Sequence, residues 1–377
     1  MIVIPYFPKI ISIFIICSIT LVESLNCPLT PNPHESLQTF IIQLSSTASR
    51  DVINNHYAML ISCFNKIISN DFTIQSSNPS IIKDVSFGSF ICYIGKFGPS
   101  DAARLARLPE VANVERNIKF NINSMRTPTT ETSTIPNNLD RIDQPSLPLD
   151  GIYNFPSSAG SNVNVYVVDT GINVNHTEFG GRAIFGPVFC EGCPPYDDNG
   201  MSIGFFDTSF VLNNATAEVG LKGVHVVLAA GNSATNACLF TPQSAPNAIT
   251  VAATETNTDS ITDFSNFGIC VNIFAPGNNL KLALTADLWN WSHGILQEVI
   301  CTNITAAGNR SSTDLIAFTG TSQASPHVAG AVALIIASSG NKSPDEMKKF
   351  LDDISTKDVV TGYIIDTPNR FIRVPHS

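Results

Sequence analysis

The residues best suited to covalent chemistry lie near the C-terminus, in Phe318-Thr319-Gly320-Thr321-Ser322-Gln323-Ala324-Ser325-Pro326-His327-Val328-Ala329-Gly330. Small residues run there into an apolar, helix-like pattern of Val328, Ala329, Val332, Leu334 and Ile335. A Ser on the tight turn that opens a helix exposes its hydroxyl. Its own backbone N–H points at the carbonyl that hydroxyl would attack, helped by the positive end of the helix dipole. Gly320 lets a substrate backbone come close. His327 is on the same helix, where a side chain cannot easily turn back to Ser322, and it reads as structural. Two apolar runs elsewhere end on polar groups. Asn164-Val165-Tyr166-Val167-Val168 has the look of a strand buried on both faces of a parallel sheet, and it stops at Asp169-Thr170-Gly171. A carboxylate at the C-terminal end of such a strand lies where α/β folds keep their sites. Val224-His225-Val226-Val227-Leu228-Ala229-Ala230 runs in the same way into Gly231-Asn232, with His225 mid-strand as a packed residue.

The elements that must hold these groups fall into a second domain, 139–377, after a polar, Thr/Pro/Asn-rich linker at 126–138. Ahead of it, 25–125 reads as a small α/β unit. Phe40 to Leu44 is strand-like, and Ile53, Tyr57, Leu60, Ile61, Phe64 and Ile68 recur at helical spacing. Phe90, Cys92 and Ile94 alternate as in a half-buried strand. Pro99-Ser100-Asp101 caps a short helix, Ala102 to Leu108, and Val111 to Ile122 closes with a strand. That order predicts helices on one face of an antiparallel sheet.

With 377 residues the chain has room for two or three domains. A net charge of −10 argues against a nucleic-acid partner. Lys9 followed by the apolar run Ile10 to Val22, with small residues at Val22 and Ser24, marks 1–24 as a signal peptide, too short to span a bilayer comfortably. Nothing later qualifies as a span, so no membrane partner is expected. Secretion agrees with the sequons at Asn175, Asn214, Asn290, Asn303, Asn309 and Asn341, read as glycosylation sites. It also agrees with 9 cysteines, which imply disulfides. Cys190, Cys193, Cys238, Cys270 and Cys301 are an odd set in the second domain, and Cys190-x-x-Cys193 lacks the second pair a metal site would need.

Gly320 to Gly330 resembles the nucleophile motif of the subtilisin-like serine proteases, the subtilases, which implies that Ser322 is the nucleophile. Val165 to Ala183 resembles the aspartate motif of the proteinase K branch of that family, with Asp169 orienting an imidazole and stabilising its charged form; His176 is not catalytic in that motif. The run ending at Asn232 resembles the oxyanion segment, so Asn232 would donate its side-chain amide to the developing oxyanion. Thr250 to Ala253 and Val271 to Gly277 match further family strands. The resemblance implies an α/β fold, a subtilisin-like parallel sheet flanked by helices, preceded by a small α+β ferredoxin-like propeptide domain. It also implies a structural calcium held by the carbonyls of Pro246 and Ala248 and the Glu255 carboxylate, although the family has Asp at that last place. No cofactor is required for the reaction. Expected partners are protein or peptide substrates and the chain's own propeptide, with a monomeric enzyme.

Two departures bear on the chemistry. The family follows its aspartate motif with a loop ending Asp-x-x-Gly-His-Gly-Thr-His, whose first His is the general base. This chain has Asp197-Asp198-Asn199-Gly200 and then Met201-Ser202-Ile203-Gly204, which resembles the later strand that pairs with substrate main chain through Ser202 and Gly204. The parallel sheet is therefore expected to be incomplete. A Ser hydroxyl needs a positioned base to act at neutral pH. The second departure is a long insertion, Leu280 to Thr313, holding Trp289 and Trp291. The expected function is a secreted serine endopeptidase precursor, impaired because its base is missing. The alternatives are a non-catalytic pseudoprotease and an inhibitor of the propeptide type.

Overall fold

The structure is a computed structural model of the full chain. It describes residues 2–3, 27–30, 32, 34–70, 79–86, 88–117, 125–126, 135–168, 174–175, 179–184, 210–278, 306–307, 315–316 and 318–375. The chain divides into two compact units. The smaller comprises Tyr6–Ile118 and Ser209–Glu218; the larger comprises Met1–Pro5, Lys119–Thr208 and Val219–Ser377. The first strand, β1 (Ile2–Val3), belongs to the larger one.

The smaller unit runs β2 (Gln38–Leu44), α1 (Arg50–Asn70), β3 (Ser80–Asp84), β4 (Ile91–Phe97), α2 (Pro99–Leu105) and β5 (Val111–Arg116). Its strands form an antiparallel sheet in the order β3-β4-β2-β5. Of these, β3 is the one the sequence pattern did not announce: Ile81 and Ile82 are adjacent, so the alternation that marks a strand is broken. Phe40, Ile42 and Leu44 point into one core with Met59, Leu60 and Cys63 of α1 and Tyr93 and Phe97 of β4. The spacing of 56, 59, 60 and 63 on α1 sets a single buried stripe. A disulfide between Cys27 and Cys63 ties the segment before β2 to that helix. The Glu35 carboxylate supplies the cap of α2 from outside, accepting from the Ser100 N–H and hydroxyl at 2.9 Å each.

The larger unit continues with β6 (Met125–Arg126), α3 (Asn137–Asp143) and β7 (Val165–Tyr166). Helix α4 (Phe210–Leu221) follows, its residues up to Glu218 belonging to the smaller unit, then β8 (His225–Ala229), β9 (Ile249–Glu255) and β10 (Ile273–Asn278). Next come β11 (Ala306–Ala307), β12 (Leu315–Ile316), β13 (Phe318–Thr319), α5 (Thr321–Ser339), α6 (Pro344–Ile354), β14 (Thr356–Lys357) and β15 (Arg370–Phe371). The main sheet has the order β14-β15-β10-β9-β8-β1-β7. Its middle, β8, β9, β10 and β15, is parallel, as the continuous apolar runs predict. Val251, Ala252, Ala253, Phe274 and Ala275 are all fully buried there. Against them lies α5, whose Val328, Val332, Leu334 and Ile335 are also buried and contribute roughly 1.5–3 kcal/mol each. A second disulfide joins Cys238 to Cys270, and Cys92 is a free, buried thiol.

The far edge corrects one expectation. The run Asn164 to Val168 reads as buried on both faces, but only Val165–Tyr166 form a strand, and Tyr166 and Val168 are 48% and 59% exposed. The neighbour on that side is β1, two residues long and antiparallel to both β7 and β8, too short to cover the run. Among the described residues no helix is long and apolar enough to cross a membrane.

Candidate active site

Three backbone approaches build the turn that carries Ser322. The Gly320 N–H donates to the Gly277 carbonyl at the end of β10, 2.8 Å away. A side chain on Gly277 would put its Cβ 2.5 Å from the Ala253 Cβ and 2.9 Å from the Gly320 oxygen, so glycine is required there. A Cβ on Gly320 would lie 2.8 Å from Gln323 Oε1 and 3.2 Å from the Asn232 amide nitrogen. The turn thus holds the start of α5 against the ends of β8 and β10 with no side chain between.

Asn232 is fixed in both position and orientation. Its Oδ1 accepts from the Thr321 N–H and from the Thr321 hydroxyl, each at 2.8 Å, and Thr321 Oγ1 in turn accepts from the Gly231 N–H at 3.0 Å. Since the oxygen is held by an N–H, the amide nitrogen is the end that faces Gly320. Asn266, 1% exposed, braces the same loop. It accepts from Ser233 N and Thr235 N and donates to the Ala230 carbonyl. Neither Thr321 nor Asn266 stood out in the sequence as a support: Thr321 is read only as part of the motif, and Asn266 is a lone polar residue with no pattern around it. Gln323 Oε1 is buried beside this turn with no hydrogen-bond partner among the described residues.

Pro326 shapes the helix just past the nucleophile. It has no N–H, so the Ser322 carbonyl loses its partner four residues on, and the Ser325 hydroxyl takes the place at 3.4 Å. The Ser322 side chain is half-buried, at the positive end of a 19-residue helix.

Two buried histidines of the larger unit, His327 and His225, are engaged elsewhere. His327 Nδ1 is 2.9 Å from the Gln323 carbonyl, which can only accept, so that nitrogen carries the proton; Nε2 accepts from the Asn138 amide at 2.8 Å. Complete burial pushes its pKa down to about 4. It therefore pins α5 to α3 as a neutral ring, in line with the structural role its helix position indicates. His225 donates from Nε2 to Asn341 Oδ1 at 2.7 Å, and burial lowers its pKa too. Neither ring is hydrogen-bonded to Ser322. Asp169, His176, Ser202 and Gly204 lie outside the described residues, as do Cys190, Cys193, Cys301 and the sequons at Asn290, Asn303 and Asn309.

The proposed calcium ligands do not fit a divalent cation. The Pro246 carbonyl already accepts from the Lys348 ammonium, and the Glu255 carboxylate accepts from the Asn278 amide. Ala248 is buried at the foot of β9. A cation would have to displace a positive charge from Pro246. Among the described residues no group of three or more His, Cys, Asp or Glu side chains is placed to hold a metal ion.

Residues 196–363 match the Subtilase family. The extracellular serine proteinase of Thermus sp. (strain Rt41A) is 30% identical over 332 residues, covering 73% of this chain and 73% of the relative. The subtilase-type proteinase psp3 of Schizosaccharomyces pombe is 28% identical over 422 aligned residues, covering 90% of this chain and 86% of the relative. That alignment is longer than the 377 residues of this chain, so the relative carries stretches that this chain lacks. The crystal structure of a cold adapted subtilisin-like serine proteinase superposes with a TM-score of 0.52 at 27% identity, covering 65% of this chain and 100% of that one.

Proposed function

This chain belongs to the subtilase family, and we propose that it is a secreted, proteinase K-like serine endopeptidase precursor whose larger unit has lost its general base. The observation that carries the reading is the Asn232 amide, oriented by Thr321 toward the backbone of Gly320 just ahead of Ser322. In an acyl transfer, Ser322 Oγ attacks the substrate carbonyl and its proton must pass to a base. The carbonyl oxygen becomes an anion, which the Asn232 amide and the Ser322 N–H stabilise. Collapse of that intermediate breaks the peptide C–N bond, the leaving amine takes the proton back from the base, and water then hydrolyses the acyl-enzyme. Asp169 would orient the base. Without that base, only binding and oxyanion stabilisation remain, about 10³–10⁴ over water.

Support for a missing segment comes from three directions. Asp197 to Gly200 stops one residue short of the family's base. The longer alignment with psp3 requires residues this chain does not have. The exposed Tyr166 and Val168 belong to a run whose composition calls for cover. The test is hydrolysis of casein by four proteins: the chain as it stands, the chain with a His-Gly-Thr-His-led segment inserted between Gly200 and Met201, and the Ser322→Ala variant of each. Only the repaired protein with Ser322 should cleave at a protease-like rate. If the unrepaired chain does so and loses it with Ser322→Ala, another residue is the base and the proposal fails.

A second reading is that the smaller unit acts alone as a propeptide-type inhibitor. It is favoured by that unit's own core and its own disulfide. Tight inhibition of a related protease by residues 25–126 would support it.

A further inference from the structure

One sequon does not sit on a loop. Asn214-Ala215-Thr216 lies inside α4, and the residues at 214, 215 and 218 fall on one side of that helix. All three belong to the smaller unit and meet its own sheet. The Asn214 amide nitrogen donates to Gln43 Oε1 of β2 at 3.1 Å, and Gln43 is itself 7% exposed. Ala215 packs against Phe90 and Cys92, with Ile41 and Val85 alongside. The Glu218 carboxylate, 7% exposed, accepts from the Ser89 N–H at 3.0 Å and from the Ser89 hydroxyl at 2.5 Å. Polar contacts from Asn214 and Glu218 thus flank the apolar one at Ala215.

We propose that Asn214 is a structural contact seating α4 against the N-terminal sheet, and that it is not a glycan acceptor in the folded protein. Transfer of a glycan to an N-x-Thr triplet needs the asparagine nitrogen and the hydroxyl two residues on to be presented together on an accessible stretch of chain. Here neither is free to be presented. Asn214 keeps exposed surface, but the nitrogen to which a sugar would be joined is the atom that faces Gln43. The Thr216 hydroxyl is 2.9 Å from the Leu212 carbonyl of the preceding turn, and the residue is 8% exposed. The sequon at Asn341 differs in that its hydroxyl residue, Ser343, is exposed and precedes a helix, although its amide nitrogen is likewise hydrogen-bonded. It lies in the exposed connection between α5 and α6, where the asparagine bonds to His225 and to the Gly223 carbonyl without being buried. A sequon in the sequence is therefore not one kind of object in this chain.

Two measurements on the full chain test the proposal, and only the first rests on the secretory route proposed above. In the first, the chain is expressed through a yeast secretory pathway with an Asn-Gly-Thr tag after Ser377. It is deglycosylated enzymatically in heavy-oxygen water and read by mass spectrometry. The tag should carry the label and Asn214 should not. Label at Asn214 matching that of the tag overturns the proposal. A tag without label would count against the secretory route, and the second measurement then decides. That one is amide hydrogen exchange on Thr216→Ala, which removes the sequon but keeps the contact, and on Asn214→Ala. Exchange around Gln43 and Ser89 should rise roughly 10-fold in Asn214→Ala, as expected for loss of a half-buried hydrogen bond, and stay unchanged in Thr216→Ala. Asn214→Asp, which keeps the shape but loses the donor, replaces Asn214→Ala if that variant is insoluble. Unchanged exchange in the asparagine variant shows that Asn214 is no seat and sinks the proposal.

Discussion

In the smaller unit His56 is 2% exposed, with Nδ1 2.8 Å from Glu110 and Nε2 2.9 Å from the Tyr93 hydroxyl. At the start of α5, Asn232 has its oxygen held twice by Thr321 while its nitrogen is turned toward a glycine backbone. The first arrangement is closed: every polar atom of the ring meets another side chain of the same core. The second is directed: half of the amide is spent on orienting the other half. Closed networks hold a core together, whereas a directed one gives up part of its bonding capacity to aim a donor. The difference separates struts from candidate catalytic groups better than burial or residue type alone. It also sorts His327 with the struts, since its ring is committed at both nitrogens.

The sharpest way to break the comparison is to remove the directed group. In the repaired enzyme, Asn232→Ala should lower kcat by about 10²–10³ with little change in KM, while stability falls by no more than about 1–3 kcal/mol, the cost of unpairing the Thr321 donors. A large loss of stability with unchanged kcat would make Asn232 a strut and erase the distinction. Acid offers the next effect. The folded pKa of His327 is about 4, below the ordinary value of 6.5, so the unfolded chain takes up that proton more readily. The stability this group supplies is whole above about pH 6.5 and is lost as pH falls toward 4, up to roughly 3 kcal/mol. Urea unfolding at pH 7.5 and pH 4.5, with the imidazole titration followed by NMR, reads it; an ordinary titration near 6.5 in the folded state would refute the buried neutral ring. The smallest effect is expected from the closed network. His56→Leu leaves the Tyr93 hydroxyl without its partner and should cost about 1–3 kcal/mol, with kcat of the repaired enzyme unchanged. A fall in kcat would tie His56 to the chemistry after all.

Much of this was legible from residue types. The Gly320-Thr321-Ser322 turn, the apolar strands behind it and the helix through Ile335 follow from small residues, continuous apolar runs and helical spacing. The first helix and most strands of the smaller unit followed from periodicity. What the sequence hid were contacts between residues far apart in the chain. Asn138 with His327, Asn266 under the loop at Ala230, and Glu218 with Ser89 join polar residues that carry no periodicity and no local motif. The partners that occupy the calcium candidates were hidden for a related reason. Pro246 and Glu255 were chosen by position, and the ammonium of Lys348 comes to Pro246 from a helix far along the chain. The edge at Val168 failed because burial of a strand depends on neighbours, and composition alone cannot supply them.

The span of the two sheets along the chain bears on the order in which the molecule can form. The main sheet runs from β7 at Val165 to β15 at Phe371, and Phe274 of β10 pairs with Phe371, so its inner strands wait for partners made much later. The four-stranded sheet of the smaller unit closes over a far shorter stretch of chain. Loop-closure entropy makes the first kind of pairing slow and the second fast. The smaller unit should then be complete while strand edges of the larger one are still bare, and it is during that interval that the chain is most open to association with other copies of itself.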